Sequence, residues 1–152
     1  MNPRLNIAGV APAAYHAMLG LEKLIRESSI DEKLVHLLKM RASQINGCAY
    51  CLDMHSKDAR SLGETEQRLY GLDAWREAPY YTDREQAGLE WTEALTLVAD
   101  GHVPDDVYNE ARLQFSEREL VDLSLAVIAI NGWNRLAISF RTVPGTYQPA
   151  KH

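Results

Sequence analysis

Two cysteines and a histidine lie close together in this chain, at Cys48, Cys51 and His55. Two thiols separated by two residues can bind a metal ion, cycle between dithiol and disulfide, or lie inert in a hydrophobic core. Gly47 precedes Cys48 and is typical of a helix end, so we expect Cys48 to open a new helix. At about 100° per residue, all three side chains then share one face of that helix. Cys51 and His55 lie one turn apart on it.

This arrangement suits thiol redox chemistry, either in a peroxidase or in a thiol–disulfide oxidoreductase. The unpaired amides and the dipole of a helix N-terminus stabilise an anion, so a thiol there can have a pKa well below about 8.5. A thiolate attacks a peroxide or a disulfide, and a neighbouring thiol converts the resulting sulfenic acid to a disulfide. The redox interpretation gives both cysteines and His55 a role, whereas simple core packing gives them none.

A metal site is the main alternative. His36, from the preceding helical segment, could complete a Cys2His2 zinc set with Cys48, Cys51 and His55. Zinc sites usually take such a cysteine pair from a tight turn, and three ligands spread over two turns of one helix converge less easily. A non-catalytic, zinc-stabilised helical module therefore stays as the alternative to a catalytic dithiol.

The composition limits the classes of function. The chain has 152 residues, 46% of them hydrophobic, which suits one globular domain spanning residues 1–152. Its net charge is −5 and its basic residues are scattered, which argues against a nucleic-acid partner. The N-terminal segment lacks the apolar core of a signal peptide, and the most apolar run, 120–130, is shorter than the roughly 20 residues of a membrane span. We expect a cytoplasmic protein without a membrane partner.

Apolar residues recur at three and four positions along the chain, which predicts an all-α fold. We predict helices at 11–28, 30–45, 48–62, 64–74, 83–99, 104–115 and 117–141. Capping boxes are expected at 29–32, 82–85 and 116–119, and helix ends at Gly47 and Gly63. The tail after residue 141 is predicted to be extended or loose, and the Asp53–Lys57 pair to lie on the solvated side of the cysteine helix.

The last helix carries a second expectation. Between residues 120 and 130 it is apolar on nearly every face, so it has to be covered all round. A chain of this size has few helices to cover it, and we therefore expect part of the cover to come from another subunit.

The segment "LLKMRASQINGCAYCLDMHSKDARSLGE" resembles the core signature of the AhpD-like alkylhydroperoxidases, within the carboxymuconolactone decarboxylase superfamily. The similarity continues through "LYGLDAWREAPYYTDREQAGLEWTEALT" to "INGWNRLAISFR" and so covers most of residues 30–141. The resemblance implies an all-α, AhpD-like helical bundle that forms homo-oligomers, often trimers or hexamers. It also implies reduction of small-molecule organic hydroperoxides by the cysteine pair, with electrons from an external dithiol or redox protein and with no cofactor. Decarboxylase or lactone chemistry would leave that pair without a role.

The resemblance also implies individual roles. Cys51 is the thiol that attacks peroxide, Cys48 resolves the sulfenic acid, and His55 belongs to a proton relay. The family relay includes a glutamate twelve positions before the first cysteine, and this chain has His36 there. A neutral His36 can accept a hydrogen bond but supplies no anion, so we expect altered pH dependence or a weaker activity. The second histidine of some members is replaced by Tyr50.

Overall fold

The computed structural model describes residues 2–150, and every element of secondary structure in that range is helical. A 3₁₀ helix, Leu72–Ala74, follows the fifth of the α-helices. The α-helices are α1 (Ile7–Val10), α2 (Pro12–Arg26), α3 (Glu32–Asn46), α4 (Ala49–Ser61), α5 (Glu66–Tyr70), α6 (Asp83–Thr96), α7 (Asp105–Gln114) and α8 (Glu117–Phe140). This confirms the all-α prediction, although the short α1 was not predicted.

Side-chain caps set most of the helix starts. Thr82 and Ser116 each form the expected capping box, at the starts of α6 and α8. The box expected at 29–32 is wrong, because Asp31 caps α3 instead and accepts hydrogen bonds from the amides of Lys33 and Leu34. The carboxylate of Asp31 satisfies these two unpaired amides directly, so the helix begins at the next residue.

The core forms around α3, which packs against α4, α6 and α8. Leu37 on α3, Leu89 on α6 and Leu123 on α8 are fully buried at this junction. Burial of several such side chains stabilises the fold by about 1.5–3 kcal/mol each. The junction also fixes α3 against α4, the two helices that carry the residues singled out from the sequence.

A glycine makes the sharp turn from α3 into α4. Gly47 has a φ of 68°, in the left-handed region that residues with a side chain rarely adopt. Behind it, the amide of Cys48 donates to the carbonyl of Ser43. The predicted helix end is therefore confirmed, and Cys48 lies at the N-cap of α4.

One side of α8 is open in the single chain. By length and composition α8 could cross a membrane, a test that the core helices of soluble proteins also pass. Here it packs against α2, α3 and α6 and buries the side chain of Asn134. Val121, Ile128 and Ile138 nevertheless stay 58%, 56% and 47% exposed.

The tail after α8 is extended, as predicted, but it packs against α4. The amide of Gly145 donates to Asp53 Oδ2 at 3.0 Å, and Lys57 Nζ donates to the carbonyl of Tyr147 at 3.1 Å. The predicted Asp53–Lys57 pair is present, at 2.9 Å, with side chains 22% and 30% exposed, but the tail covers part of the face that was expected to be solvated. Their paired charges anchor the tail because its backbone offers them a donor and an acceptor.

Candidate active site

Both thiols lie at the first turn of α4 and are buried. Cys48 Sγ accepts a hydrogen bond from the backbone amide of Cys51 at 3.4 Å, as an N-cap side chain does. Both cysteines are free and 1% exposed. The helix start therefore holds two reduced thiols in mutual contact, away from bulk water.

Polar side chains of α3 and α8 form a hydrogen-bonded cluster next to the thiols. Asn134 Nδ2 donates to Ser43 Oγ at 3.0 Å, and Asn46 Nδ2 donates to Asn134 Oδ1 at 2.9 Å. After the contact between the two thiols and their burial, Asn134 is a further influence that lowers the pKa of both Cys48 and Cys51. The spacing of residues along α8 does not point to Asn134, because its partners Ser43 and Asn46 lie on α3.

The two thiols differ in acidity. The hydrogen bond from the Cys51 side chain is the largest influence on Cys48 and lowers its pKa to about 7, against the opposing effect of burial. The same hydrogen bond raises the pKa of Cys51, and burial raises it further. Cys48 is therefore the more acidic thiol, which is the order that its position in the helix predicts.

A cavity of about 940 Å³ opens beside the thiols. Cys51 lines this cavity, whereas Cys48 is absent from its wall among residues 2–150. The wall also contains polar and charged side chains, among them His36, His55, Asp58 and Tyr147. Of the two thiols, a molecule in the cavity therefore meets Cys51 first.

The two histidines form a buried pair behind Cys51. His36 Nδ1 lies 3.2 Å from His55 Nδ1, within hydrogen-bond distance. Burial lowers the pKa of both imidazoles, that of His55 most strongly, and the nearby Lys39 ammonium lowers both further. Both rings are therefore neutral at neutral pH.

One ring nitrogen of His55 has no hydrogen-bond partner among the residues that the structure describes. His55 Nε2 is buried and makes no hydrogen bond to any residue between 2 and 150. No thiol–imidazole hydrogen bond therefore joins Cys51 to His55, although both line the same cavity. A buried polar atom of this kind costs free energy unless it finds a partner.

The four residues of the alternative zinc site are not grouped together. Within residues 2–150, one ring nitrogen of His36, one of His55 and a carboxylate oxygen of Asp58 lie within 4.8 Å of one another. Neither thiol belongs to that cluster. The geometry therefore does not favour a Cys2His2 zinc site at His36, Cys48, Cys51 and His55.

Two residues at the site were missed from the sequence. Asp58 Oδ2 lies 4.0 Å from His55 Nδ1, and the Tyr147 hydroxyl donates to Asp58 Oδ1 at 2.6 Å. Asp58 could have been found from its position one turn after His55. Tyr147 gave no signal, because it reaches the site from the tail, 89 positions away along the chain.

Residues 12–94 match the sequence model of the carboxymuconolactone decarboxylase family. The uncharacterized protein YdfG of Bacillus subtilis is 44% identical over 139 residues, which cover 91% of this chain and 95% of YdfG. A solved protein of unknown function from Agrobacterium tumefaciens, proposed to be the antioxidant defence protein AhpD, is 41% identical with a TM-score of 0.89. That alignment covers 99% of this chain and 100% of the other.

A more distant structure shares the fold alone. An uncharacterized peroxidase-related protein from Silicibacter sp. TM1040 is 22% identical, with a TM-score of 0.79 over 89% of this chain and 72% of that one. The sequence match and the similarity to the Agrobacterium structure extend well beyond the cysteine motif. The chain belongs to the carboxymuconolactone decarboxylase family and has the AhpD-like fold.

Proposed function

We propose that this protein is a dithiol peroxidase that reduces organic hydroperoxides by cycling Cys48 and Cys51 between dithiol and disulfide. The observation that carries the proposal is the position of Cys51 on the wall of the cavity, with Cys48 buried in contact behind it. The similarity to the Agrobacterium protein proposed to be AhpD supports the same activity.

The reaction balances with two thiols and one external dithiol. Cys51 sulfur attacks the terminal oxygen of the hydroperoxide, the O–O bond breaks, and Cys51 becomes a sulfenic acid while the alcohol leaves. Cys48 sulfur then attacks Cys51 sulfur, which forms the disulfide and releases water. An external dithiol reduces this disulfide by exchange and is itself oxidised to a disulfide.

His55 supplies the base that Cys51 needs. Because the pKa of Cys51 is raised, this residue is a protonated thiol at neutral pH and has to lose its proton as it attacks. His55 Nε2 is buried on the same cavity without a partner. It takes the proton from Cys51 and returns it to the alkoxide, a transfer that contributes about 10²–10⁴-fold in enzymes.

His36 fixes the proton arrangement of His55. Between two neutral imidazoles whose Nδ1 atoms face each other, one has to donate and the other accept. When His55 donates Nδ1–H to His36, the lone pair of His55 is left on Nε2, where the base is required. His36 thus replaces the family glutamate as the hydrogen-bond acceptor, although it brings no negative charge.

The cavity favours a substrate with an apolar body. Its volume of about 940 Å³ lies at the upper end of the roughly 300–1,000 Å³ typical of ligand pockets. Apolar side chains of three helices contribute to its wall, among them Ile25 of α2, Val35 of α3 and Ala137 of α8, together with Leu62 at the end of α4. The substrate class that fits is a bulky organic hydroperoxide rather than hydrogen peroxide.

The protein is also proposed to act as a homo-oligomer. Val121 and Ile128, on the open side of α8, are more than half exposed in the single chain. Burying such side chains against a second copy would stabilise an assembly by about 25 cal/mol per Å² of apolar area. This supports the expectation that another subunit covers α8.

Trapping the sulfenic acid tests the assignment of the two thiols. Reduced Cys48→Ser is mixed with stoichiometric cumene hydroperoxide in the presence of dimedone and analysed by peptide mass spectrometry. We expect a dimedone adduct on Cys51, and no adduct on Cys48 in the matched Cys51→Ser variant. An adduct on Cys48 with none on Cys51 would reverse the roles.

A further inference from the structure

We propose that Asp58 is the anionic partner of the His36–His55 pair, and that Tyr147 of the tail holds its carboxylate in place. Both would be positioning residues, since they act through the histidines and need not touch the peroxide. The inference rests on the proposed peroxidase function. It assigns a negative charge to a relay whose usual glutamate position is occupied by His36.

The two carboxylate oxygens of Asp58 have different neighbours. Oδ2 faces the pair, 4.0 Å from His55 Nδ1, and Oδ1 accepts the hydrogen bond of 2.6 Å from the Tyr147 hydroxyl. The Asp58 side chain is only 17% exposed, so water screens its charge weakly. A hydrogen bond to one oxygen fixes the direction of the other.

The charges around the pair show why an anion is needed there. From α3, the Lys39 ammonium lowers the pKa of both histidines, and its ion pair with Glu22 of α2 offsets this only in part. Glu32 Oε1 lies 3.9 Å from His36 Nε2, but the Glu32 side chain is 55% exposed. After the effect of burial, Asp58 is the largest influence on His36 and raises its pKa.

This charge matters when the relay accepts a proton. Once His55 takes the proton of Cys51, a buried neutral pair becomes a buried cation beside Lys39. A buried cation is costly unless an anion compensates it. Asp58 is in place to compensate it, and the tail is thereby coupled to proton transfer through Tyr147.

Four variants test the proposal. Asp58→Asn keeps the shape and removes the charge, Asp58→Glu restores the charge, and Tyr147→Phe removes the hydroxyl. Asp53→Asn is the matched control, because Asp53 also anchors the tail from α4, through Gly145 and Lys57, yet is absent from the cluster of ligating atoms around the histidines. Each reduced variant is followed by NMR titration of the histidine side chains and by single-turnover reduction of cumene hydroperoxide across pH.

In Asp58→Asn we expect His36 to titrate at a lower pH than in the wild type, because a nearby negative charge has been removed. We expect the same variant to reduce peroxide about 10-fold more slowly, because the cation formed during proton transfer is no longer compensated. Asp58→Glu should recover part of both changes, and Tyr147→Phe should slow the reaction by a smaller factor. Asp53→Asn, which loosens only the tail, should leave the His36 titration unchanged and slow the reaction no more than Tyr147→Phe does. The NMR measurement does not depend on activity, so it separates failure of this inference from failure of the peroxidase proposal. An unchanged His36 titration in Asp58→Asn, or equal changes in Asp53→Asn, would overturn the role of Asp58. A wild-type rate in Tyr147→Phe would overturn that of Tyr147.

Discussion

His36 Nδ1 lies 3.2 Å from His55 Nδ1. His36 occupies the sequence position where the AhpD-like signature has a glutamate. The resemblance left open whether a histidine there can replace the carboxylate. The structure places the imidazole where it can accept or donate a hydrogen bond, and places a carboxylate, Asp58, on the adjacent helix. The two tasks of one glutamate, accepting a hydrogen bond and carrying a charge, are therefore available from two residues.

The His36–His55 contact predicts that His36→Ala slows peroxide reduction. Without an acceptor at Nδ1, His55 no longer holds its lone pair on Nε2, and we expect the rate to fall by about 10-fold or more. His36→Glu should keep most of the activity, because a carboxylate also accepts the hydrogen bond. Stopped-flow consumption of peroxide by the reduced protein measures both variants. The control is His16→Ala, a change at an exposed position of α2, and a rate for His36→Ala equal to that control would contradict the prediction.

The hydrogen bond between the thiols predicts an acidic Cys48. In the reduced wild type, the ultraviolet absorbance of thiolate should rise with a midpoint at a pH of about 7. Cys51→Ala removes the largest cause of this low pKa, so the midpoint should move upward, toward the ordinary cysteine value of about 8.5. Cys48→Ser should lose the transition near neutrality. A midpoint that Cys51→Ala leaves in place would show that another group stabilises the thiolate.

The buried histidines predict a loss of stability in acid. The pKa of His55 is lowered well below 6.5 in the folded state, so the unfolded chain binds this proton at a higher pH than the native one. The stabilisation from the neutral imidazole is complete above about pH 6.5 and is lost as the pH falls toward the folded pKa. The free energy of unfolding, measured with urea, should therefore decrease between about pH 7 and about pH 5. His55→Gln should make this decrease shallower, and the same slope in both proteins would refute the explanation.

The open side of α8 predicts self-association. Light scattering coupled to gel filtration should give a mass that is a multiple of one chain, and Ile128→Glu should shift it toward the monomer because a buried charge is costly. Val10→Glu on α1 changes an equally apolar side chain, 70% exposed, and serves as the control. A monomeric wild type would contradict the proposal that another subunit covers α8.

Local patterns were enough to predict α2 to α8, though not the short α1, and the placement of the thiols. Gly47 could be recognised as a helix end, and the spacing of Cys48, Cys51 and His55 then followed from helical geometry. Capping by Thr82 and Ser116 could likewise be predicted, since each capping box lies within four consecutive residues. Asp31 capped its helix in place of the expected box because two caps competed within one short segment, and spacing alone does not rank them.

Contacts between distant segments could not be predicted. Asn134 of α8 donates to Ser43 of α3, and Tyr147 of the tail donates to Asp58, so their roles depend on tertiary packing. The Asp53–Lys57 pair was predicted, but its partial cover by the tail was not, since the tail has no periodicity to reveal its path. The differing acidity of Cys48 and Cys51 likewise depends on a hydrogen bond whose direction the spacing does not fix.

The central claim is that Cys48 and Cys51 form a peroxide-reducing pair, and anaerobic thiol titration tests it most directly. The protein is fully reduced, freed of reductant and metal, and mixed with stoichiometric cumene hydroperoxide while free thiols and remaining peroxide are followed over seconds. We predict that both thiols of the wild type are lost for each peroxide consumed, and that Cys51→Ser consumes almost none. If the wild-type thiols persist for many minutes while peroxide stays constant, the protein is not a dithiol peroxidase.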